Sequence, residues 1–413
     1  MFSRWIILIF TIFLFTAFPF SHFSRADMDK GFEAFNRGDY ETALKEMLID
    51  AIKGEAIAQA MVGSMYGKGQ GVSKDYTQAY RWFILAADQG LPLAQNMLGV
   101  MYNEGEGVPQ NYVKAWRWFS LAADQGFASA QYSLGNMYFK GNGVFENYAE
   151  AIKWYRLAAE QGDLMAQHNV GAMYKYGDGV PQDYAEAFRW FRLAANQGSS
   201  LAQYNLGGMY FHGQGVPENN EEAVRWYRLA AEQGQIDAQF YLGVMYDNGN
   251  GVPENNEEAV RWYRLAAEQG YADAQYNLGL MYDYGEGLPE NDEEAVRWYR
   301  FAADQGYAKA QYNLGIMYEY GEGVPENDAE AVRWYRLAAD QGHVKAQYNL
   351  GNMYDNGEGV PENDVAAYMW FILAAAQGNE SGKAGKKILR EIMTSEQIAE
   401  AQRLSTEWLR DHP

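Results

Sequence analysis

The chain contains no cysteine, so disulfide bonds cannot hold it together and no thiolate is present for metal binding or nucleophilic catalysis. Basic residues are also scarce, because 33 Lys and Arg stand against 54 Asp and Glu and leave a net charge of -21. This charge repels phosphate groups, which argues against a nucleic-acid partner and against anionic membrane surfaces. Aromatic residues make up 15% of the 413 residues and supply ample surface for burial, so disorder is not expected.

Long apolar runs are also lacking, apart from one at the N-terminus. Residues 5–20 are uncharged and mostly apolar, and they follow the basic residue Arg4. Ser24 and Ala26 then place small side chains at the -3 and -1 positions of a cleavage site. As a helix, the apolar run spans only about 24 Å, which is shorter than a bilayer core. We therefore expect residues 1–26 to be a signal peptide cleaved after Ala26, and we expect no stable membrane insertion of the mature protein.

One unit of 36 residues recurs nine times over residues 55–378 without an insertion. Residues 215–234 and 251–270 are identical over twenty positions, which indicates duplication of the unit. Each unit carries one tryptophan at the same position. These are Trp82, Trp118, Trp154, Trp190, Trp226, Trp262, Trp298, Trp334 and Trp370.

Apolar residues at helical spacing predict two helices in each unit. Ala94, Leu98 and Met101 mark the buried face of a first helix, and Ala115 and Phe119 mark that of a second. One helix pair cannot bury its aromatic side chains, whereas a stack of pairs can. The predicted fold class is therefore all-α: an α/α solenoid of 36-residue helix-turn-helix repeats.

The glycines and asparagines of the unit predict where its helices end and begin. Gly105 and Gly107 end the first helix, since glycine accepts positive φ without strain. Gly99 lies inside that helix at a cost of about 1 kcal/mol relative to alanine, which predicts the close approach of a neighbouring helix. An asparagine three residues before a glutamate predicts the N-cap of the second helix in the later units. These caps are Asn219, Asn255, Asn291 and Asn327.

The two ends of the array differ from the units between them. Residues 27–54 keep the helical pair but lack the tryptophan, and we predict that they form an N-terminal tetratricopeptide-like cap. Residues 379–413 follow the last unit and contain an amphipathic segment that opens at Thr394. We predict that they form the C-terminal capping helices.

Several motifs recur together in each unit. They include Ala-Gln-Tyr-Asn-Leu-Gly and Met-Tyr within residues 274–282, Gly-x-Gly-Val-Pro at 321–325, and Ala-Val-Arg-Trp-Tyr-Arg-Leu-Ala-Ala at 331–339. The unit resembles the Sel1-like repeat, a relative of the tetratricopeptide repeat, over residues 55–378. Ser73 and Phe145 depart from the pattern by replacing the loop proline. The resemblance implies a right-handed superhelix that binds proteins, often as an adaptor, and in bacteria it links exported members to envelope assembly, signalling control and host-cell interaction.

A helical wheel indicates which first-helix side chains the repeat core cannot hide. With Leu98 at the centre of the buried face, position 96 lies about 160° away and position 103 lies on the same far side. We expect this side to form the concave surface. We name its aromatic and acidic residues the aromatic–acidic row. It consists of Tyr132, Tyr204, Phe240, Tyr276, Tyr312, Tyr348, Asp247, Asp283, Glu319 and Asp355.

Two interpretations of this row remain open. The aromatic rings could pack on the next repeat, and the acidic residues could serve solubility. Alternatively, the row binds an extended or helical segment of a partner, a protein or peptide with basic residues. Acidic groups in the last turn of a helix oppose its dipole, so helix stability does not explain them.

The sequence offers little for catalysis. His168, His212 and His343 lie in different units at different positions, and no zinc, calcium, dinucleotide or nucleophile-elbow motif is complete. We therefore predict no catalytic residue, no metal and no cofactor. Because some cysteine-rich relatives are linked to β-lactam binding and hydrolysis, an envelope hydrolase or β-lactam-binding protein remains an alternative.

The predicted function is that of an exported protein-interaction scaffold or adaptor in the bacterial cell envelope, located in the periplasm or secreted. The signal segment and the repeat family both lead to this prediction. A secreted host-interaction factor is a second alternative, because the signal segment does not distinguish a periplasmic protein from one exported further.

Overall fold

The structure is a computed structural model that describes the backbone of residues 25–412 and the side chains from residue 30 onward. The predicted signal segment lies outside the described residues, except for Arg25 and Ala26, which begin the first helix. Between residues 25 and 412 the chain forms 22 helices and no strand, which confirms the all-α prediction. The chain divides into two compact units, Met1–Asp183 and Tyr184–Pro413.

The helices alternate regularly along the chain. In the first unit they are α1 (Arg25–Asn36), α2 (Tyr40–Ile52), α3 (Ala56–Lys68), α4 (Tyr76–Asp88), α5 (Pro92–Glu104), α6 (Tyr112–Asp124), α7 (Ala128–Lys140), α8 (Tyr148–Glu160) and α9 (Leu164–Tyr176). In the second unit they are α10 (Tyr184–Asn196), α11 (Ser200–His212), α12 (Asn220–Glu232), α13 (Ile236–Asp247), α14 (Asn256–Glu268), α15 (Ala272–Tyr284), α16 (Asp292–Asp304), α17 (Ala308–Tyr320), α18 (Asp328–Asp340), α19 (Val344–Asn356), α20 (Asp364–Ala376), α21 (Glu380–Ile392) and α22 (Ser395–Asp411).

Within each unit, every helix packs against the helices before and after it in sequence. The core clusters join neighbouring repeats. One cluster combines Ala223 and Tyr227 of α12 with Leu242 of α13 and Trp262 of α14. A second helix thus buries its small and aromatic residues against both helices of the following repeat, which is the nearest-neighbour stacking that the sequence predicts.

Two glycine positions are fixed by close contact. A Cβ atom added to Gly99 would lie 2.5 Å from Cδ1 of Phe119, so the aromatic ring of the second helix rests directly on the first helix. This confirms the close approach predicted for that glycine. In the loop, Gly251 has a φ of 71°, and an added Cβ would lie 2.3 Å from the carbonyl carbon of Asn220 at the start of the preceding second helix.

Side-chain caps begin the second helices. Oδ1 of Asn219 accepts a hydrogen bond from the backbone N–H of Glu222 at 3.0 Å, and the same contact occurs at Asn255, Asn291 and Asn327. These residues are the predicted N-caps. The first helices of most repeats end instead at a glycine with positive φ, such as Gly105.

At the C-terminal end, α21 and α22 both pack on α20. A capping box at Thr394 and Gln397 begins α22. Trp408 of α22 then lies 6.2 Å from Trp370, measured between ring centroids, and packs on the cluster that contains Leu373. Leu373 is only 2% exposed, whereas the corresponding Leu337 one repeat earlier is 41% exposed.

Candidate protein-binding surface

The aromatic side chains of the aromatic–acidic row lie half-buried on the first helices. The ring of Tyr276 on α15 packs on the buried ring of Tyr299 on α16, with centroids 5.9 Å apart, and on Tyr307 of the next repeat at 5.3 Å. Each ring of the row therefore contributes to the packing of its own repeat. The corresponding pairs are Tyr132 with Tyr155, Tyr204 with Tyr227, Phe240 with Tyr263, Tyr312 with Tyr335, and Tyr348 with Phe371.

The first helices are covered on more sides than the helical wheel indicates. Gln95 and Asn96 are both buried, with exposed fractions of 5% and 7%. The wheel takes only one buried face into account, whereas α5, which carries Asn96, contacts both the second helix of its own repeat, α6, and that of the preceding repeat, α4. Position 96 is therefore partly enclosed, and a partner could reach only the free edges of the rings.

The acidic residues of the row accept hydrogen bonds from tyrosines of the second helices. The hydroxyl of Tyr299 donates to Oδ2 of Asp283 at 2.8 Å, and the hydroxyl of Tyr263 donates to Oδ2 of Asp247 at 3.0 Å. These contacts give the acidic groups a structural role at a helix end where the dipole opposes them. Glu319 accepts the same bond from Tyr335, while Asp355 lacks it because Phe371 replaces the tyrosine.

The acidic residues of the row form no ion pair among the described residues. Burial raises the pKa of Asp247, Asp283 and Asp355 above the ordinary carboxyl value, and neighbouring carboxylates raise it further. Within the part of the chain that the structure describes, all ion pairs involve other residues, such as Glu258 with Arg261 and Glu294 with Arg297. A basic partner would supply the missing charge.

Exposed tyrosines lie next to the acidic residues. Tyr284 and Tyr320 end α15 and α17 and are 65% and 64% exposed, which makes them the most accessible aromatic groups of these repeats. Each directly follows an acidic residue of the row, Asp283 or Glu319. A tyrosine face beside a carboxylate suits a Lys or Arg side chain, since cation–π attraction and charge act together.

A ladder of glutamine pairs, each with one buried and one exposed member, joins successive repeats within a unit and is not evident from helical periodicity. Gln239 on α13 donates to the carbonyl of Ala231 at 3.1 Å and accepts from Nε2 of Gln269 at 2.7 Å. The same pattern links Gln275 with Gln305 and Gln311 with Gln341. The signal was present, because two glutamines recur in every unit, but their pairing depends on how the helices stack.

Histidines and metal ligands add no further site among the described residues. Burial lowers the pKa of His168 to about 4, so this side chain is neutral at pH 7. Residues 25–412 contain no group of three or more His, Asp or Glu side chains that could hold a metal ion. No helix in this part of the chain is both long and apolar enough to cross a membrane.

Stacked helix pairs, joined within each unit by glutamine pairs and aromatic contacts, define an α/α repeat protein. The Sel1 repeat model matches nine consecutive segments of the chain, and the chain belongs to the Sel1 repeat family. The matched segments are 56–91, 92–127, 128–163, 164–199, 200–235, 236–271, 272–307, 308–343 and 344–379. Scaffolds of this kind typically mediate protein–protein interaction.

Two solved structures are similar to this chain over most of its length. One is a protective antigen present in uropathogenic Escherichia coli strains that displays an SLR fold; it is 34% identical, has a TM-score of 0.62, and the match covers 94% of this chain and 92% of that one. The other is a Sel1 repeat protein from Oxalobacter formigenes, which is 36% identical with a TM-score of 0.60 and coverage of 75% and 90%. No curated protein matches the chain.

Proposed function

We propose that this protein is an exported scaffold of the bacterial cell envelope that binds a basic segment of a partner protein along the aromatic–acidic row. The observation that supports this proposal most strongly is the set of four acidic residues that form no ion pair among the described residues, two of them beside exposed tyrosines. Neighbouring first helices present the same groups at regular intervals, so an extended or helical segment would meet several equivalent contacts. Several weak contacts along one segment add up to useful affinity.

The export part of the proposal rests on the N-terminal segment. Arg4, the apolar run over residues 5–20 and the small side chains before residue 27 are the features of a signal peptide. Cleavage after Ala26 would remove only two residues of α1 (Arg25–Asn36). The mature protein would then keep both helices that precede the first Sel1 repeat.

The experiment that tests the binding site leaves the packing contacts intact. In a variant with Tyr284→Ser, Tyr320→Ser, Asp283→Asn and Glu319→Gln, the asparagine and glutamine still accept the tyrosine hydroxyls, and the ring packing of Tyr276 and Tyr312 is untouched. In-cell crosslinking of the tagged mature protein, followed by mass spectrometry, should capture a discrete partner with the wild type. The variant should capture at least about tenfold less, a loss of about 1.4 kcal/mol.

The matched control removes charge from α14 and α16, the second helices that precede and follow α15. Glu257→Gln and Glu293→Gln lower the negative charge by the same two units at exposed second-helix starts. This control should capture the partner as the wild type does. Equal capture by the wild type and the four-residue variant would contradict the proposed site. Equal loss of capture by the variant and the control would show that overall negative charge, and not this site, attracts the partner.

A secreted host-interaction factor is a second candidate, supported by the similarity to the protective antigen of uropathogenic Escherichia coli. That relationship covers 94% of this chain, so it concerns the whole array of repeats. Fractionation of the producing cells distinguishes the two candidates. Protein retained in the periplasm supports the envelope scaffold, and protein in the medium or on the cell surface supports the secreted factor.

A further inference from the structure

The helix α21 (Glu380–Ile392) takes the place of a tenth first helix. It begins and ends 36 residues after α19 (Val344–Asn356), and it packs on α20 as every first helix packs on the second helix before it. Gly382, Leu389 and Met393 are buried on this side. A Cβ atom on Gly385 would lie 2.8 Å from the ring of Phe371, so this contact is as close as those inside the array.

Another side of α21 is apolar and uncovered. Ala384, Ile388 and Ile392 follow one another at intervals of four residues and therefore form a strip about 12 Å long. Ile388 is 62% exposed and Ile392 is 71% exposed, which is unusual for isoleucine. We name these three residues the α21 strip.

Comparison with the earlier repeats explains the exposure of Ile388. Among the residues that correspond to Ile388 in earlier repeats, Val244, Leu280 and Ile316 are half-buried against core clusters to which the following repeat contributes. Ile392 corresponds instead to Tyr284 and Tyr320, which are exposed inside the array. No further first helix follows α21 among the described residues, because α22 packs on α20 instead. Ile388 therefore lacks the neighbour that covers its apolar counterparts, and Ile392 extends this apolar surface at a position where the array carries exposed tyrosines.

We propose that the α21 strip binds the α21 strip of a second copy of this chain, with the two helices antiparallel. In this arrangement a twofold axis passes near Ile388, so each Ile388 meets its counterpart. Ala384 of one copy then lies opposite Ile392 of the other, at both ends of the strip. A small side chain opposite a large one lets two helices pack closely without a cavity or a clash.

Charge complementarity selects the antiparallel second copy. Lys387 and Glu391 flank the strip on the same side of the helix, both are exposed, and neither takes part in an ion pair within the described residues. An antiparallel arrangement places Lys387 of one copy beside Glu391 of the other, twice per dimer. In a parallel arrangement related by a twofold axis, these residues would lie on opposite flanks of the interface and would form no such pairs.

The interface is a single pair of short helices, so the dimer is expected to be weak and reversible. Sedimentation velocity of the mature chain, at concentrations from about 1 µM to roughly 1 mM, should show a monomer–dimer equilibrium. The variant Ile388→Glu/Ile392→Glu should stay monomeric over this range. The control Ile49→Glu/Ile52→Glu alters two isoleucines at the other end of the array that are 48% and 75% exposed, and it should dimerise as the wild type does.

Charge reversal distinguishes the proposed dimer from nonspecific hydrophobic association. Lys387→Glu and Glu391→Lys each place like charges across the twofold axis, so each variant alone should dimerise at least about tenfold more weakly. An equimolar mixture of the two variants restores both opposite-charge pairs, and its association should return to the wild-type level. Circular dichroism of every variant checks that the helices are retained.

The natural absence of cysteine allows a direct geometric test. Ile388→Cys should form a disulfide-linked dimer on mild oxidation, because the two Ile388 side chains meet at the twofold axis. Ile52→Cys, at least as exposed, should crosslink far more slowly. A chain that stays monomeric throughout the concentration range, or a mixture of charge variants that associates no better than either one alone, would overturn the proposal.

Discussion

Single residues determine how closely the two helices of a repeat approach, and neighbouring glycines on α11 make this testable. A Cβ on Gly207 would lie 2.7 Å from Cδ1 of Tyr227, whereas a Cβ on Gly208 would meet only the Tyr227 hydroxyl at 3.4 Å. Gly207→Ala should therefore destabilise the protein by about 1–3 kcal/mol through overpacking. Gly208→Ala should stabilise it by up to about 1 kcal/mol, because alanine favours the helix.

Urea unfolding followed by circular dichroism measures both changes. Each variant serves as the control for the other, since the two glycines are adjacent in the same helix and receive the same substitution. If both variants changed the free energy of unfolding by similar amounts, close ring packing could not be the reason why a glycine and an aromatic residue recur at this spacing within each unit.

The raised pKa of Asp283 predicts a pH-dependent effect on stability. Burial favours its protonated form in the folded state, so the associated stability is fully present below the unfolded pKa of about 3.8 and is lost as pH rises through the higher folded pKa. Asp283→Asn removes the charge but keeps an acceptor for Tyr299. This variant should match the wild type near pH 3.5 and exceed its stability at pH 7, by less than about 1 kcal/mol because the group is half-exposed.

Thermal unfolding of both proteins between pH 3.5 and pH 7 measures this difference. Glu257→Gln serves as the control for the loss of one negative charge from an exposed position. A lower stability of Asp283→Asn than of the wild type at pH 7 would show that the charged hydrogen bond outweighs the cost of burial.

Between elements, the glutamine ladder couples each repeat to the next. Gln269→Met would leave Oε1 of the buried Gln239 without its donor, at a cost of about 1–3 kcal/mol. The double variant Gln239→Met/Gln269→Met should cost less than the sum of the two single variants, because it leaves neither glutamine unpaired. Urea unfolding of the four proteins gives the coupling energy. Gln402→Met, an exposed glutamine on α22, is the control, and strict additivity would contradict the ladder.

At the same scale, the sequence predicts the helices far better than it predicts the role of the row. Spacing of Ala94, Leu98 and Met101 suffices to place a first helix and its core face, and Gly99 reveals a close neighbour, because these signals are local in the chain. The bond from Tyr299 to Asp283 spans 16 residues and depends on how the two helices pack, so helical periodicity alone does not reveal it. The helical wheel also fails to predict that Asn96 is buried, because that burial depends on how neighbouring helices pack.

For the whole molecule, stability should follow the number of complete repeats. Deletion of residues 236–271 removes one Sel1 repeat and joins two helices that already stand in the same relation elsewhere in the chain. The shortened protein should keep its helicity per residue and unfold with a smaller denaturant dependence, because less surface is exposed on unfolding. Circular dichroism and urea unfolding test both points.

A deletion of half a period provides the control. Loss of residues 236–253 removes one first helix and its loop and brings two second helices together, whose apolar faces do not fit each other. This variant should lose its cooperative transition. Equal tolerance of both deletions would mean that the contacts between repeats lack the specificity described for Gly251 and the glutamine ladder.

The loop glycines also determine how such a protein can diversify. In every repeat the second loop glycine, such as Gly251 or Gly287, abuts the backbone of the preceding repeat, with Cβ distances of 2.3–2.4 Å to Asn220 and Asn256. Loops in many folds accept insertions and thereby acquire new specificity. Here, however, the loop itself packs against the preceding repeat, so an insertion would disturb the contact between repeats. Evolutionary change is then confined to two routes: substitution of surface side chains on the helices, and gain or loss of whole modules by recombination between near-identical segments such as 215–234 and 251–270.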